Sequence, residues 1–312
     1  MSEHVPDRIG PYRVLSRLGV GGMAEVFLAL AYGASGFEKR IALKTLLPEL
    51  RGDPHAEKLL LEEARVGALL AHEALVGVHE LGVDRGLYYV RMDYVDGGDL
   101  ALLAAGEPLE AGLALLVAER VASALAYVHA LADERGVSLG LVHRDVSPHN
   151  VLCSRSGEVK LGDFGIAKAT HRAETTQANL RRGKYAYMSP EQVDKRALDP
   201  RSDQFGLGVM LYELLVGKRP FDGDSPLLTL DRIREAAPPD VRMLPRDAGE
   251  IVLRCLSRVP EQRFETTEAL LLAIAEARRA RPVVTALDLG RWVIARRDGP
   301  RRETPAQRTR PL

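Results

Sequence analysis

Residues 143–150 read His143-Arg144-Asp145-Val146-Ser147-Pro148-His149-Asn150, an acid standing five positions before an amide. Thirteen residues after Asn150, in Lys160-Leu161-Gly162-Asp163-Phe164-Gly165, comes a second acid followed by Phe-Gly. This order of side chains suits phosphoryl transfer from ATP. One carboxylate orients an attacking hydroxyl, while the amide and the second carboxylate hold Mg²⁺ against the phosphates. Either tripeptide alone is a weak signal; both together, in this order and spacing, are specific. Such chemistry works by position and charge, so rigid elements must flank the two acids.

The apolar pattern supplies those elements. Residues 12–18 and 26–31 alternate as strands. Between them runs Leu18-Gly19-Val20-Gly21-Gly22-Met23-Ala24-Glu25-Val26. A glycine hairpin lets backbone N–H groups approach phosphate oxygens because no side chain intervenes, although a plain turn is the blander reading. Ile41-Ala42-Leu43-Lys44 is an apolar strand ending on a lone lysine, and the helical stretch 53–71 carries Glu62 and Glu63. Residues 110–131 have helical spacing and should run beneath the catalytic stretch. Residues 227–234, 247–257 and 267–278 are helical in pattern too.

With 312 residues, 46% hydrophobic and 28% charged, the chain can bury a core in one large domain or two lobes. Lys+Arg and Asp+Glu stand at 43 each, so no nucleic-acid partner is expected from charge. Cys153 and Cys255 are the two cysteines, which fits a reducing cytoplasm better than a disulfide. The first residues lack a basic region followed by an apolar run, and no run of about 20 apolar residues occurs, so neither a signal peptide nor a transmembrane segment is expected. From 278 onward ten Arg face Asp288, Asp298 and Glu303. This tail is expected to begin with a short amphipathic segment ending near Ala295 and to be mostly disordered over 277–312.

The set of motifs resembles Hanks-type (eukaryotic-like) bacterial serine/threonine protein kinases, over about 12–276. The resemblance implies a two-lobed α+β fold, a small β-rich lobe over 12–95 and a larger helical lobe over 96–276, with ATP in the cleft between. It implies Asp145 as the residue orienting the acceptor hydroxyl and Asn150 and Asp163 as Mg²⁺ ligands. It further implies Lys44 on the α/β-phosphates with Glu63, 19 residues on, as its partner. Residues Leu18, Gly19, Val20, Gly21, Gly22, Met23, Ala24, Glu25 and Val26 would cover the phosphates. Val26, Ala42 and Leu152 would sandwich the adenine, Met92 would gate its pocket, and the backbones of Asp93 and Val95 would bond its edge. Asp99 would meet the ribose or cap a helix. Asp203 would bond the catalytic-loop backbone, and Glu191 would pair with Arg263. Arg144 would meet a phosphorylated residue of the segment 163–191, with Thr170, Thr175 and Thr176 as candidates. Protein Ser/Thr hydroxyls are the implied acceptors, and a homodimer is a compatible activating state.

Four positions depart from the family pattern. The third glycine of the hairpin is Ala24. Gly67 stands where a bulky apolar residue is usual, which suggests packing space and a loosely held helix. Ser147 replaces the catalytic-loop lysine, whose charge is worth roughly 3 kcal/mol in the transition state. Lys184 replaces the threonine of Gly-Thr, so the expectation is that Lys184 supplies the missing charge, with His149 a weaker candidate. These departures keep a pseudokinase scaffold in view as the alternative. A small-molecule phosphotransferase is disfavoured by Ser189-Pro190-Glu191, which resembles a peptide-substrate platform.

Overall fold

A computed structural model describes residues 5–163 and 183–298. By their internal contacts these fall into two compact units, residues 5–94 and residues 95–163 with 183–298.

The first unit is a six-stranded antiparallel sheet with one helix. Its strands are β1 (Arg8–Ile9), β2 (Tyr12–Val20), β3 (Ala24–Tyr32), β4 (Glu38–Leu46), β5 (Val78–Asp84) and β6 (Leu87–Asp93), in spatial order β1-β2-β3-β4-β6-β5. Directly opposed residues of antiparallel strands share a face, and the face alternates along each strand. The register therefore sorts the side chains. Ile41 and Leu43 of β4 join Phe27, Ala29, Tyr12, Val14 and Tyr89 in one buried cluster. Ala42 and Lys44 point the other way, with Lys44 opposite Val26 and Val90, and Ala42 opposite Leu28 and Met92. That second face receives α1 (Pro54–Leu69), whose Ala56, Leu60 and Ala64 pack on Leu46 and Val90. Helix α1 starts where it does because Asp53 accepts the His55 N–H at 2.9 Å and Pro54 needs no donor partner at the first turn.

A polar clasp ties the start of the sheet to its far edge. The hydroxyls of Tyr12 and Tyr89 donate to the two carboxylate oxygens of Glu80 at 2.5 and 3.0 Å. Burial, and then the Glu80 acceptor, push the Tyr12 hydroxyl up to about 12, so it remains a donor at any physiological pH.

Gly67 overturns its sequence reading. A Cβ added there would lie 2.6 Å from Val78 Cγ2, so the glycine marks close packing of α1 on β5 and not spare room. The helix is seated accordingly: Lys44 Nζ meets Glu63 Oε1 at 2.7 Å.

The second unit begins with β7 (Gly97–Asp99), which pairs with β8 (Val151–Ser154), and β8 with β9 (Val159–Leu161). Helix α2 (Leu100–Ala104) is capped by Asp99, which accepts the Leu102 N–H at 2.8 Å; of the two roles open to Asp99, capping is the one seen. Helix α3 (Ala111–His129) is the core of the unit, with Ala114, Leu115, Val117, Ala118 and Val121 fully buried. Among the described residues it alone is long and apolar enough to cross a membrane by length and composition, and its burial marks it as a core helix. Helices α4 (Pro190–Val193), α5 (Arg201–Val216), α6 (Pro226–Glu235), α7 (Arg246–Cys255), α8 (Thr267–Arg279) and α9 (Ala286–Asp298) follow. Both cysteines are buried and unpaired.

The tail needs correcting. Helix α8 runs to Arg279 and α9 covers 286–298 with Leu289 and Val293 at 0% exposure, so much of the stretch expected to be disordered is folded. The amphipathic segment expected up to about Ala295 is this helix, and its two fully buried apolar side chains, Leu289 and Val293, are four apart on one face. Residues 299–312 lie outside the described residues.

The packing at Gly67 yields a test. Gly67→Ala gains about 1 kcal/mol of helix propensity but overpacks against a stiff β-branched side chain, at about 1–3 kcal/mol. Urea unfolding should show a chain less stable than the parent by up to about 2 kcal/mol. A variant more stable by a full kcal/mol would show that the space exists after all.

Candidate active site

The catalytic stretch 143–150 has no regular secondary structure before the 3₁₀ turn Pro148–Asn150, so its shape is set by side chains. Asp203, on the first turn of α5 and 2% exposed, accepts the backbone N–H of His143 at 2.7 Å and of Arg144 at 2.8 Å. His129, at the end of α3, lies 2.8 Å from the same carboxylate through Nε2 and 2.8 Å from Thr267 of α8 through Nδ1. Nε2 is the donor to Asp203, because a carboxylate can only accept. From the other side Gln192 Nε2 donates to the Arg144 carbonyl at 2.9 Å. Arg144 is thus held by both its N–H and its C=O at φ +68°, a left-handed conformation that costs a non-glycine residue about 1–3 kcal/mol.

Within this frame the loop is tied to itself and to the second acid. Asn150 Nδ2 donates to the Asp145 carbonyl at 2.7 Å, which fixes the orientation of the amide in the loop. The Gly162 N–H donates to the Asn150 carbonyl at 2.9 Å, one residue before Asp163. His143 closes the circuit: its Nε2–H meets the Gly162 carbonyl at 3.2 Å and its Nδ1 accepts the Asp145 N–H at 3.3 Å. That pattern is a neutral imidazole. Complete burial holds its pKa below 6.5 against the opposing pull of Asp203 and Asp145. Asp163 sits at φ +53°, a second strained backbone in the same site.

The remaining expected residues divide between the units. In the first, Lys44 and Glu63 are paired, and Val26, Ala42 and Met92 share the Lys44 face of the sheet, as the register requires. Hairpin residues 18–26 span the turn from β2 to β3, closed by Gly21 N–H on the Ala24 carbonyl at 2.5 Å. Met23 packs on the α1 cluster. The Glu25 carboxylate is taken up by Arg51 at 3.0 Å and Arg17 at 3.8 Å, while its backbone is paired between Val20 of β2 and Thr45 of β4. Asp93 engages Gly77 and His79 through its side chain. In the second unit Leu152 is opposite Asp99 on β8, and the Val95 carbonyl accepts the Gly97 N–H at 2.9 Å. Phe164, Gly165, Thr170, Thr175 and Thr176 lie outside the described residues, as does the side chain of Lys184.

Ser147 adds no charge: it is fully buried and its hydroxyl has no hydrogen-bond partner among the described residues. A cavity of about 350 Å³ opens beside Pro148 and His149, lined by Tyr187, Glu213 and Arg219 among others. Its wall mixes apolar residues such as Ala104 and Leu214 with polar ones. Tyr187 donates to Glu213 at 2.5 Å, and burial raises the Glu213 carboxyl above its ordinary range. The α4 segment beside it is anchored by Glu191, which takes two hydrogen bonds from Arg263 at 2.6 and 3.0 Å and one from Ser202 at 2.7 Å. Sequence reading located Asp203, Glu191 and Arg263. It missed His129, His143 as a structural hub, and Gln192. Gln192 was detectable, since Ser189 and Gln192 form the Ser-x-x-Gln capping box. His129 carries no local signal, and the motif that contains His143 does not reveal its bonds to Gly162 and Asp145.

Residues 12–272 match the protein kinase domain family. The chain belongs to the protein kinase family. Its fold is the two-lobed kinase fold, a β-rich small lobe and a helical large lobe. The kinase domain of Mycobacterium tuberculosis PknI is similar at 30% identity and a TM-score of 0.64, covering 88% of this chain and 99% of that one. The tyrosine-protein kinase MasK of Myxococcus xanthus is 40% identical over 276 residues, 85% of this chain and 42% of MasK. The serine/threonine-protein kinase PrkC of Bacillus subtilis is 33% identical over 264 residues, 83% of this chain and 39% of PrkC. This kinase chain spans about two-fifths of the length of those two relatives.

The Glu191–Arg263 pair, at 4% and 0% side-chain exposure, makes a pH prediction. Burial pushes the Glu191 carboxyl up, but the Arg263 hydrogen bonds and charge more than reverse this, so its pKa lies below 4.5. A depressed folded pKa means the stabilisation is complete above the unfolded value and is lost as pH falls through the folded one. In Glu191→Gln the loss of stability below pH 4.5 should therefore be shallower. At pH 7 the variant should be about 3–5 kcal/mol less stable, because Arg263 is left buried without a counter-charge. Denaturant melts across pH measure both.

Proposed function

We propose that the chain is an ATP-dependent protein kinase that transfers the γ-phosphoryl group of Mg-ATP to Ser and Thr hydroxyls of proteins. The observation that carries this reading is the closed hydrogen-bond circuit joining Asp145, Asn150 and the Gly162–Asp163 step through His143. A scaffold without chemistry would have no need to hold these groups in strained backbone.

Asp145 orients the acceptor hydroxyl and receives its proton as the hydroxyl oxygen bonds to the γ-phosphorus and the bond to the β-phosphate oxygen breaks, leaving ADP. Lys44, held by Glu63, binds the α/β-phosphates, and backbone groups of 18–26 cover them. Ala42, Met92, Val26 and Leu152 contact adenine, and the Asp93 and Val95 backbones bond its edge. Asn150 and Asp163 offer the hard oxygen donors that Mg²⁺ takes in small number beside phosphates and water. Bound there, the ion would neutralise charge on the phosphate oxygens.

With Ser147 buried and uncharged, we assign the missing positive charge to Lys184. Arg144, whose Nε is buried without a hydrogen-bond partner among the described residues, is the cation for a phosphorylated residue of segment 163–191. Two buried free thiols and an ATP substrate fit a cytoplasmic setting.

A second reading concerns the acceptor. The similarity to MasK, named a tyrosine kinase, and the altered Ser147 and Lys184 positions favour a tyrosine hydroxyl. The cavity beside His149 is the region of the large unit where acceptor flanks would be selected under either reading.

Incubation with Mg-ATP followed by intact mass should show added phosphate, and phosphoamino-acid analysis should find phosphoserine or phosphothreonine; phosphotyrosine alone would establish the second reading. Asp145→Asn should abolish transfer while nucleotide binding stays within about threefold of the parent, because only positioning of the hydroxyl is lost. Equal turnover in that variant would remove the kinase reading. Lys184→Ala should lower kcat roughly 100-fold, on the order of 3 kcal/mol; unimpaired turnover would take Lys184 out of the mechanism.

A further inference from the structure

Helix α9 lies wholly beyond the family match, which ends at residue 272. It nevertheless docks on the strands that carry the nucleotide side of the large unit. Its C-terminal turn is bonded to both. Asp298 takes two hydrogen bonds from Arg155, just past β8, at 2.8 and 2.7 Å. Arg297 donates to the carbonyl of Gly97, the first residue of β7. Arg296 reaches Glu107, past α2, at 2.7 Å. Two glycines allow the backbones to meet: a Cβ on Gly290 would lie 2.4 Å from the Arg155 carbonyl, and one on Gly157, at φ +85°, would lie 1.7 Å from the Ala286 carbonyl. Neither obstacle is a side chain that could swing away.

The docked strands are not peripheral. Strand β8 follows Asn150 directly and carries Leu152, and β7 begins two residues after Val95. The pairing Asp99↔Leu152 lies between them, so displacement of β7 or β8 moves the adenine-contacting side chain and the amide of Asn150 together. The connector is itself anchored. Arg281 bonds Asp247 at 2.7 Å, Arg278 donates to the Val284 carbonyl at 3.2 Å, and Thr285 and Asp288 cap the start of α9 at 2.7 Å.

We propose that α9 is a positioning element for nucleotide: by clamping β7 and β8 from behind through Arg155–Asp298, Arg297–Gly97 and the Gly290 contact, it sets the affinity for Mg-ATP. The role assigned to it acts through β7 and β8. The inference rests on the kinase reading above.

The test uses the full chain with Mg-ATP and a generic protein acceptor. Gly290→Val should lift α9, seen as faster hydrogen exchange over 286–298 with α3 still protected. The KM for ATP and the Kd for a fluorescent ATP analogue should rise roughly tenfold while kcat changes less than about threefold. Should that variant fail to fold, the ion pair decides. Arg155→Asp and Asp298→Arg should each raise the ATP KM about two- to fivefold, and the double swap should restore it. A lifted α9 with unchanged ATP affinity, equal losses in kcat and kcat/KM, or singles that match the double swap would overturn the proposal. A parent chain that neither binds nor turns over nucleotide would instead sink the kinase reading itself.

Discussion

A carboxylate cut off from water must be satisfied by the protein or be expelled, and Asp203 is satisfied three times over: by the His143 and Arg144 N–H groups and by His129. Those bonds lie at the base of the site. They fix the residue before Asp145 in a left-handed conformation that an arginine would not adopt unaided, and Gln192 closes the other side of that residue. Because Asp203 stands on the buried helix α5 and His129 on the buried helix α3, the loop inherits the rigidity of the large unit's core. A catalytic stretch without regular secondary structure can in this way be held as firmly as a strand.

The first unit reaches comparable order by a different route. Period-two alternation along β3, β4 and β6 puts Val26, Ala42, Lys44 and Met92 on one face and the apolar cluster around Phe27 and Leu43 on the other. Helix α1 then has to approach that face closely enough for Glu63 to reach Lys44. The absent side chain at Gly67 is what allows the approach against Val78. A residue that looks like a defect in a helix is here a condition of the ion pair.

Among the described residues of the large unit, two buried carboxylates are held by partners in fixed geometry. Glu191 has Arg263 and Ser202, and Asp203 has its three donors. Ser147 differs, a buried hydroxyl with no partner among the described residues at a position where the family places a charge. A serine there carries no charge, and the hydrogen bonds that shape the loop come from Asp203, Gln192 and His143.

Much of this was legible in the chain itself. The strands 12–18, 26–31 and 41–44 and the helices 53–71, 110–131 and 267–278 follow from local periodicity, which depends only on neighbours in sequence. Asp145, Asn150, Asp163 and Lys44 stand out as candidates by type and spacing; the choice of Glu63 over Glu62 comes from the family resemblance, and the structure pairs Glu63 with Lys44. The Ser189–Gln192 capping box was there to be read as well. Three things were decided only by tertiary structure: the use of His129 and His143 as hubs, the meaning of Gly67, and the docking of α9. In each, the deciding contact joins residues far apart in sequence, as His129 to Asp203, Gly67 to Val78 and Asp298 to Arg155 do. Local pattern reports which face of an element is apolar; it carries no record of which distant backbone that face will meet.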